Sequence, residues 1–337
     1  MTHTVPEAGT NADSSTADQA HPVHNLAIII PAFKPAFLAA ALASIAAQTD
    51  QGFTLYVGDD ASPHDLAAIC APFASCMRLH YTRFDHNLGQ SDLVAHWSRC
   101  IALSHEPWVW LFSDDDLMDP GCVAAWRRRV QADTAAADLY HFDVIEIDAE
   151  GNDIRVAPAF DDVTSSPHFA LARMQCQISS YAPDYVFSRA ALQAVQGFQS
   201  FPAAWCSDDA TWVKLARRTG IHAIRGPKVR WRRSNQNISS VNSPHATQKL
   251  EAAVQYVQWL ERFMAENPPQ PGDPTRDQVL AAARGWLVMQ SQTLKVGFWQ
   301  HHGLHNAWRL RRSLPHGFLG ALARTAVWDR RLAVRRG

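Results

Sequence analysis

The chain reads as an α/β protein in which a mostly parallel sheet is flanked by helices and followed by a helical C-terminal extension. Short apolar runs of strand length alternate with helical stretches from residue 26 to residue 112. Three of these runs end in Pro, Asp or Ser-Asp clusters, the punctuation that closes a buried strand. Beyond residue 244 the pattern turns helical and basic.

The first run, Leu26-Ala27-Ile28-Ile29-Ile30, is closed by Pro31 and reads as a buried strand. A helix follows over Ala39–Gln48. A second strand, Thr54-Leu55-Tyr56-Val57, ends in Gly58-Asp59-Asp60-Ala61-Ser62-Pro63. Residues 64–73 read as helix and Met77–Thr82 as a third strand. Asn87-Leu88-Gly89 is a turn before a helix running to about Leu103, and Trp108–Phe112 is the next strand. Strands separated by helices at this spacing favour parallel pairing. The periodicity then loosens. Leu139–Ile147 alternates as a strand, Glu150-Gly151-Asn152 is a turn, and Asp184–Ser188 is a short strand candidate. Asp209–Arg218 reads as helix, Lys228–Arg233 as strand, and Pro244–Glu266 as a long amphipathic helix. Residues 1–24 are rich in small polar and acidic residues and read as a disordered tail. The expected organisation is thus a tail (1–24), an α/β domain (25–240) and a helical basic extension (241–337).

With 337 residues the chain can hold one large or two modest domains. Its net charge of −1 hides an asymmetry: residues 1–209 carry 10 basic against 26 acidic side chains, and residues 210–337 carry 21 against 6. Such halves imply different partners, a cation for the first and an anionic surface for the second. The six cysteines show no metal-ligand spacing and read as reduced thiols of a cytosolic protein. No apolar stretch reaches the roughly 18 residues of a membrane span, and the N-terminus has no signal-peptide pattern.

Asp114, Asp115 and Asp116 follow the Trp108–Phe112 strand directly. Open α/β sheets bind ligands in the crevice at the carboxyl ends of their strands. Three adjacent anions repel each other unless something positive sits among them, and a divalent cation carrying a diphosphate meets that need with oxygen ligands. The bland alternative is a solvated turn or helix start, where Asp is favoured anyway.

The ordered set Pro31-Ala32-Phe33, Asp59-Asp60-Ala61-Ser62 and Ser113-Asp114-Asp115-Asp116 resembles the GT-A fold of family 2 glycosyltransferases, over Leu26 to about Ser240. The resemblance implies an inverting enzyme. Pro31 and Phe33 would lie at the nucleobase, and Asp60 would accept a hydrogen bond from it, usually from uracil. Asp114 would face the donor ribose or sugar. Asp115 would be the carboxylate of the Asp-X-Asp motif that binds Mn²⁺ or Mg²⁺. Ser113 replaces the motif's first aspartate, which weakens the expected metal site. Asp116 reads as a helix-start residue.

Trp205-Cys206-Ser207-Asp208-Asp209 resembles the family's acidic motif, which makes Asp209 the general base, with Trp205 and Asp208 toward the acceptor. An N-cap pair is the alternative. Arg232 and Arg233 stand where relatives reach the diphosphate, or else form a solvated basic edge. Ser234 stands near a position where some relatives use a His ligand. In the C-terminal block, Trp299, Trp308, Phe318 and Trp328 interleave with arginines, which suits an anionic membrane face as well as a packed helical appendage. His301, His302 and His305 read as exposed histidines.

The reading is a metal-dependent glycosyltransferase that moves a sugar from a nucleotide-sugar donor, a UDP-sugar favoured, to a hydroxyl of a glycan or lipid-linked glycan. It would act in the cytoplasm, peripheral to the inner membrane face, in surface polysaccharide or lipopolysaccharide synthesis. No nucleic-acid-binding motif is present. A non-catalytic glycan- or membrane-binding protein is the alternative, and a sugar nucleotidyltransferase lacks the Gly-rich loop it would need after Pro31.

Overall fold

The computed structural model describes residues 26–133, 137–234 and 245–293. Strand β1 (Leu26–Ala32) is the Leu-Ala-Ile-Ile-Ile run, and helix α1 (Leu38–Ala46) returns over it. Next come β2 (Phe53–Asp59), α2 (Leu66–Cys70) running into a 3₁₀ turn, β3 (Leu79–Arg83), α3 (Leu93–Ile101) and β4 (Trp108–Leu111). The Asp65 side chain caps α2 at the amide of Ala68, and Asp92 caps α3 at Ala95, which fixes where these helices begin. The second half holds β5 (Leu117–Met118), α4 (Cys122–Ala132), β6 (Leu139–Ile147), β7 (Asp153–Val156), β8 (Val163–Thr164) and α5 (Ser166–Met174). It continues with β9 (Tyr185–Ser188), α6 (Arg189–Ala194), α7 (Ser207–Thr219), β10 (Ile221–Arg232), α8 (Ala246–Glu266) and α9 (Arg276–Thr293).

One sheet runs in the order β3-β2-β1-β4-β9-β6-β10-β5, with β7 on β6 and β8 on β10. The first four strands are parallel, as their spacing implies. Beyond them the sheet is mixed: β9 is inserted antiparallel between β4 and β6, while β10 is parallel to β6. Apolar alternation reports which face a residue takes but not the direction of its strand. Helix α6 and strands β7 and β8 escape the sequence reading because each is brief, and the nine-residue α5 escapes it as well. Strand β10 begins seven residues before the Lys228–Arg233 stretch expected for it, with an irregularity between Ile224 and Val229 that interrupts the pattern.

Alternate side chains of each central strand feed opposite faces. Leu26, Ile28 and Ile30 pack with Trp108 and Trp110 against α1, α2 and α4, whereas Ala27, Ile29, Val109 and Leu111 join α5 and α7. Leu250, Tyr256 and Leu260 of α8 and Val279, Ala283 and Leu287 of α9 belong to this second core, so the two C-terminal helices are built into the sheet's flank. In-register pairing of Ala32 with Asp59, and of Ile29 with Leu111, brings the ends of β1, β2 and β4 to one edge. The loops carrying Phe33, Asp60 and Asp114–Asp116 therefore emerge together.

All six cysteines are free, with Cys70, Cys100, Cys122 and Cys206 buried. Among the described residues no helix is long and apolar enough to cross a membrane. The tail at 1–24 and the aromatic, Arg- and His-containing positions from Trp299 to the end lie outside the described residues.

Candidate active site

A cleft of about 1010 Å³ opens at that edge. It is lined by Pro31, Phe33, Lys34, Asp60 and Asp114–Asp116 on one side and by Trp205, Asp208, Asp209 and Trp231 on the other. Ten of the expected site residues thus divide as follows: all but Arg232 and Arg233 reach the cleft.

Asp59 and Asp60 part company because neighbours on a strand face opposite ways. Asp59 is a buried structural anchor, accepting from the Ser62 amide (2.7 Å) and from Arg83 (2.7 Å). Asp60 turns to the cleft. Its Oδ1 accepts from the Leu88 amide (2.8 Å) and from Arg99, and its Oδ2 accepts from the Gly89 amide (2.8 Å). The Asn87-Leu88-Gly89 turn is therefore a clamp on this carboxylate. A Cβ on Gly89 would stand 2.6 Å from Asp60 Oδ2, so only glycine allows the approach. His96, beside Arg99 and Asp60, is pushed by burial down to about 4 and stays neutral, its Nδ1 accepting from Arg99 Nε (3.0 Å).

Asp114 Oδ2 accepts from the amides of Phe33 and Lys34, both at 3.0 Å, which ties the end of β4 to the loop after β1. The Phe33 ring stays 39% exposed beside Asp60. Burial, then the charge of Asp114, push Asp115 up to about 6, with Lys34 and Arg232 opposing. Asp116 starts no helix, contrary to expectation. It is 1% exposed and followed by β5, and it accepts from Ser113 Oγ and from the Arg232 amide (2.6 Å). Burial holds its carboxyl well above the ordinary range.

Arg232 corrects a second expectation. Its Nε donates to the Asp115 carbonyl (2.7 Å) and its Nη1 to the carbonyls of Asp148 (3.0 Å) and Ala149 (2.8 Å), with the guanidinium over the Phe37 ring. It is a buried brace behind the cleft. Arg233 points away, toward Glu146. Trp231, just before them, faces the cleft and is stacked on Tyr181 at 3.9 Å and 6°.

At the far side Asp208 and Asp209 lie in the first turn of α7. Arg173 of α5 grips Asp209 with both prongs, Nε to Oδ1 at 3.0 Å and Nη2 to Oδ2 at 2.7 Å. Asp208 is half-buried, and burial followed by the charge of Asp209 push it up to about 7. Trp205 has Lys249 4.7 Å from its ring. The backbone is strained on both sides of the cleft: Ala61, Ala203, Ala204 and Cys206 all have φ between 53° and 63° without being glycine.

Sequence reasoning missed Arg173, Lys34, Arg99 and the Tyr181–Trp231 stack. Lys34 was visible as a cation beside Pro31–Phe33; Arg173 gives no local signal.

The donor set fits a divalent cation of one kind. Among the described residues no three His, Cys, Asp or Glu side chains are grouped to enclose a metal. Asp115 is nonetheless a buried carboxylate crowded by two others, so a hard cation placed there would relieve repulsion and draw its other ligands from phosphate and water.

Residues 27–181 match the model of Glycosyl transferase family 2. The fold resembles solved structures of S. aureus TarS. The 1–349 form aligns with a TM-score of 0.55 at 11% identity, over 87% of this chain and 74% of that one. Its complex with UDP-GlcNAc gives 0.54 at 14%, over 87% and 75%. The longer TarS structure gives 0.60 at 11%, over 87% of this chain and 50% of that one. No curated protein sequence matches the chain. Residues 27–181 form a Glycosyl transferase family 2 domain, and the chain that carries them is a glycosyltransferase with a GT-A fold.

Proposed function

We propose that the protein is an inverting, metal-dependent glycosyltransferase. It moves a sugar from a nucleotide-sugar donor to a hydroxyl of a glycan or lipid-linked glycan, in cell-surface polysaccharide or lipopolysaccharide synthesis. The observation that carries this reading is the cleft itself: a nucleotide-type edge and a second acidic pair face one space of about 1010 Å³. A UDP-sugar is the favoured donor, in keeping with the UDP-GlcNAc bound in TarS.

In this reading the base stacks at Phe33, with Asp60 held rigid by its clamp to take a base N–H through a remaining lone pair. Asp114 shapes the loop under the ribose. Asp115 would hold Mn²⁺ or Mg²⁺, which as a Lewis acid supplies stabilisation of the departing diphosphate. Lys34, in the cleft wall beside Asp115, adds positive charge on the same side. The Tyr181–Trp231 stack and Trp205 offer flat apolar faces to an acceptor sugar. An acid at the start of α7 removes the acceptor proton. The excess of basic residues after 209 suits a peripheral place on an anionic membrane face in the cytoplasm.

Thermal melting against UDP, GDP, CDP and dTDP, each with and without Mn²⁺, tests this. A ligand at ~100 times its Kd stabilises by about 2.7 kcal/mol. A Mn²⁺-dependent shift with one nucleotide names the donor class; no shift with any nucleotide overturns the reading.

A further inference from the structure

We propose that Asp208, not Asp209, takes the proton of the acceptor hydroxyl, and that Asp209 and Arg173 are positioning residues that hold it ready. This rests on the glycosyl-transfer reading above and names the base within it.

The two carboxylates are neighbours in sequence, both line the cleft, and differ in their partners. Each oxygen of Asp209 receives its own N–H from the Arg173 fork, and Arg173 is itself fixed by Nη1 donating to the Ile178 carbonyl at 3.0 Å. A carboxylate held this way is stabilised as an anion, and protonating it would break a buried ion pair. Asp208 has backbone amides, its own and that of Asp209, at its carboxylate, but among the described residues no side chain donates to it and no ion pair answers it. With no side chain holding it, the half-buried carboxylate keeps lone pairs for a hydroxyl in the cleft.

Burial and then the charge of Asp209 raise Asp208, outweighing the backbone amides and Arg173 that oppose them. Asp209 beside it and Asp184 from the turn before β9 are acids, Cys206 and Tyr256 of α8 are neutral and buried, and Arg173 is occupied by Asp209. Its rise to about 7 suits a base working near neutral pH. Two adjacent acids in unlike environments thus divide the work, one as a fixed anion and one as a proton acceptor.

The step balances. The acceptor oxygen bonds to the anomeric carbon while its proton passes to the Asp208 carboxylate. The bond from that carbon to the diphosphate oxygen breaks, and the nucleoside diphosphate leaves with the electron pair. The proton is then lost to solvent.

The test measures UDP release from UDP-glucose, UDP-galactose and UDP-N-acetylglucosamine by wild type, Asp208→Asn and Asp209→Asn, together with UDP affinity. Asp208→Asn should lower kcat by about 10²- to 10⁴-fold with UDP affinity unchanged. The wild-type rate should rise with pH through a midpoint near neutrality. Asp209→Asn should keep a measurable rate and move that midpoint to lower pH, because the neighbouring anion is gone and Arg173 is freed; a merely structural role would leave the midpoint in place. An inactive, folded Asp209→Asn beside an active Asp208→Asn overturns the assignment. If the wild type releases no UDP, the donor reading fails on its own, and ¹³C-carboxylate NMR still decides the base. An Asp signal titrating near neutral pH and missing in Asp208→Asn supports the assignment, and its absence from the wild type overturns it.

Discussion

Replacing Arg232 with Ala separates a brace from a phosphate ligand. The side chain is 3% exposed and donates to three backbone carbonyls, at Asp115 (2.7 Å), Asp148 (3.0 Å) and Ala149 (2.8 Å), with its guanidinium 4.5 Å from the Phe37 ring centre. Hydrogen bonds from a charged donor contribute roughly 1.5–3 kcal/mol each. Asp148 and Ala149 sit at a hairpin turn where water can replace the lost donor, so the full sum does not apply. Losing the buried bond to Asp115, part of the other two and the ring contact gives a cost of about 4 kcal/mol. For a domain of this size that lowers Tm by on the order of 10 °C. Urea denaturation and calorimetry of Arg232→Ala read the loss directly, and UDP titration of the folded variant should find affinity within about threefold of wild type. A variant as stable as wild type whose UDP affinity falls tenfold or more would refute the brace and restore the diphosphate role.

Asp115→Asn should lose the Mn²⁺-dependent part of the UDP melting shift and keep any metal-independent part, read by the same melting series. Gly89→Ala places a Cβ 2.6 Å from Asp60 Oδ2 and should cost about 1–3 kcal/mol while weakening nucleotide binding, measured by calorimetry. Trp231→Ala removes the outer half of the Tyr181 stack and should raise acceptor KM several-fold with donor KM unchanged, seen in two-substrate kinetics. His141 is buried with both ring nitrogens lacking a hydrogen bond, and burial drives it down to about 3 from an unfolded value near 6.5. Between those values the unfolded chain binds a proton that the folded chain refuses, so stability falls as pH drops from about 6.5 toward 3. His141→Leu should flatten that acid limb by up to ~1.4 kcal/mol per pH unit, checked by urea melts from pH 7 to pH 4.

What could be read from sequence divides along a physical line. Strands β1, β2 and β4 and the carboxylates at their ends were legible because burial on both faces forces an unbroken apolar run, and the sheet edge beyond it must be polar. The Asn87-Leu88-Gly89 turn was legible as a turn but not as the Asp60 clamp, since its partner lies 28 residues earlier. The antiparallel entry of β9 and the brace from Arg232 to Asp115, 117 residues apart, are facts of pairing that no local pattern encodes. The left-handed residues Ala61, Ala203, Ala204 and Cys206 were invisible for another reason. Glycine marks such positions in sequence, and here the surrounding packing imposes them on alanine and cysteine.

The same division explains which acids can do chemistry. Seven aspartates line the cleft; Asp92 caps α3, and most of the others have their charge answered by the protein itself. Asp60 has two amides and Arg99, Asp114 has two amides, and Asp209 has the Arg173 fork. Asp116 is raised by burial, yet Ser113 and the Arg232 amide occupy its oxygens and it serves as a joint between β4 and β10. Asp115 and Asp208 are pushed up to about 6 and about 7, burial outweighing Lys34 and Arg232 at the first and the backbone amides and Arg173 at the second. Desolvating a carboxylate costs stability unless something compensates it. Two such sites on opposite walls of one cleft make sense if their compensation arrives with substrate. In the proposed function it would be a cation bound to the donor diphosphate for Asp115, and the proton of the acceptor for Asp208.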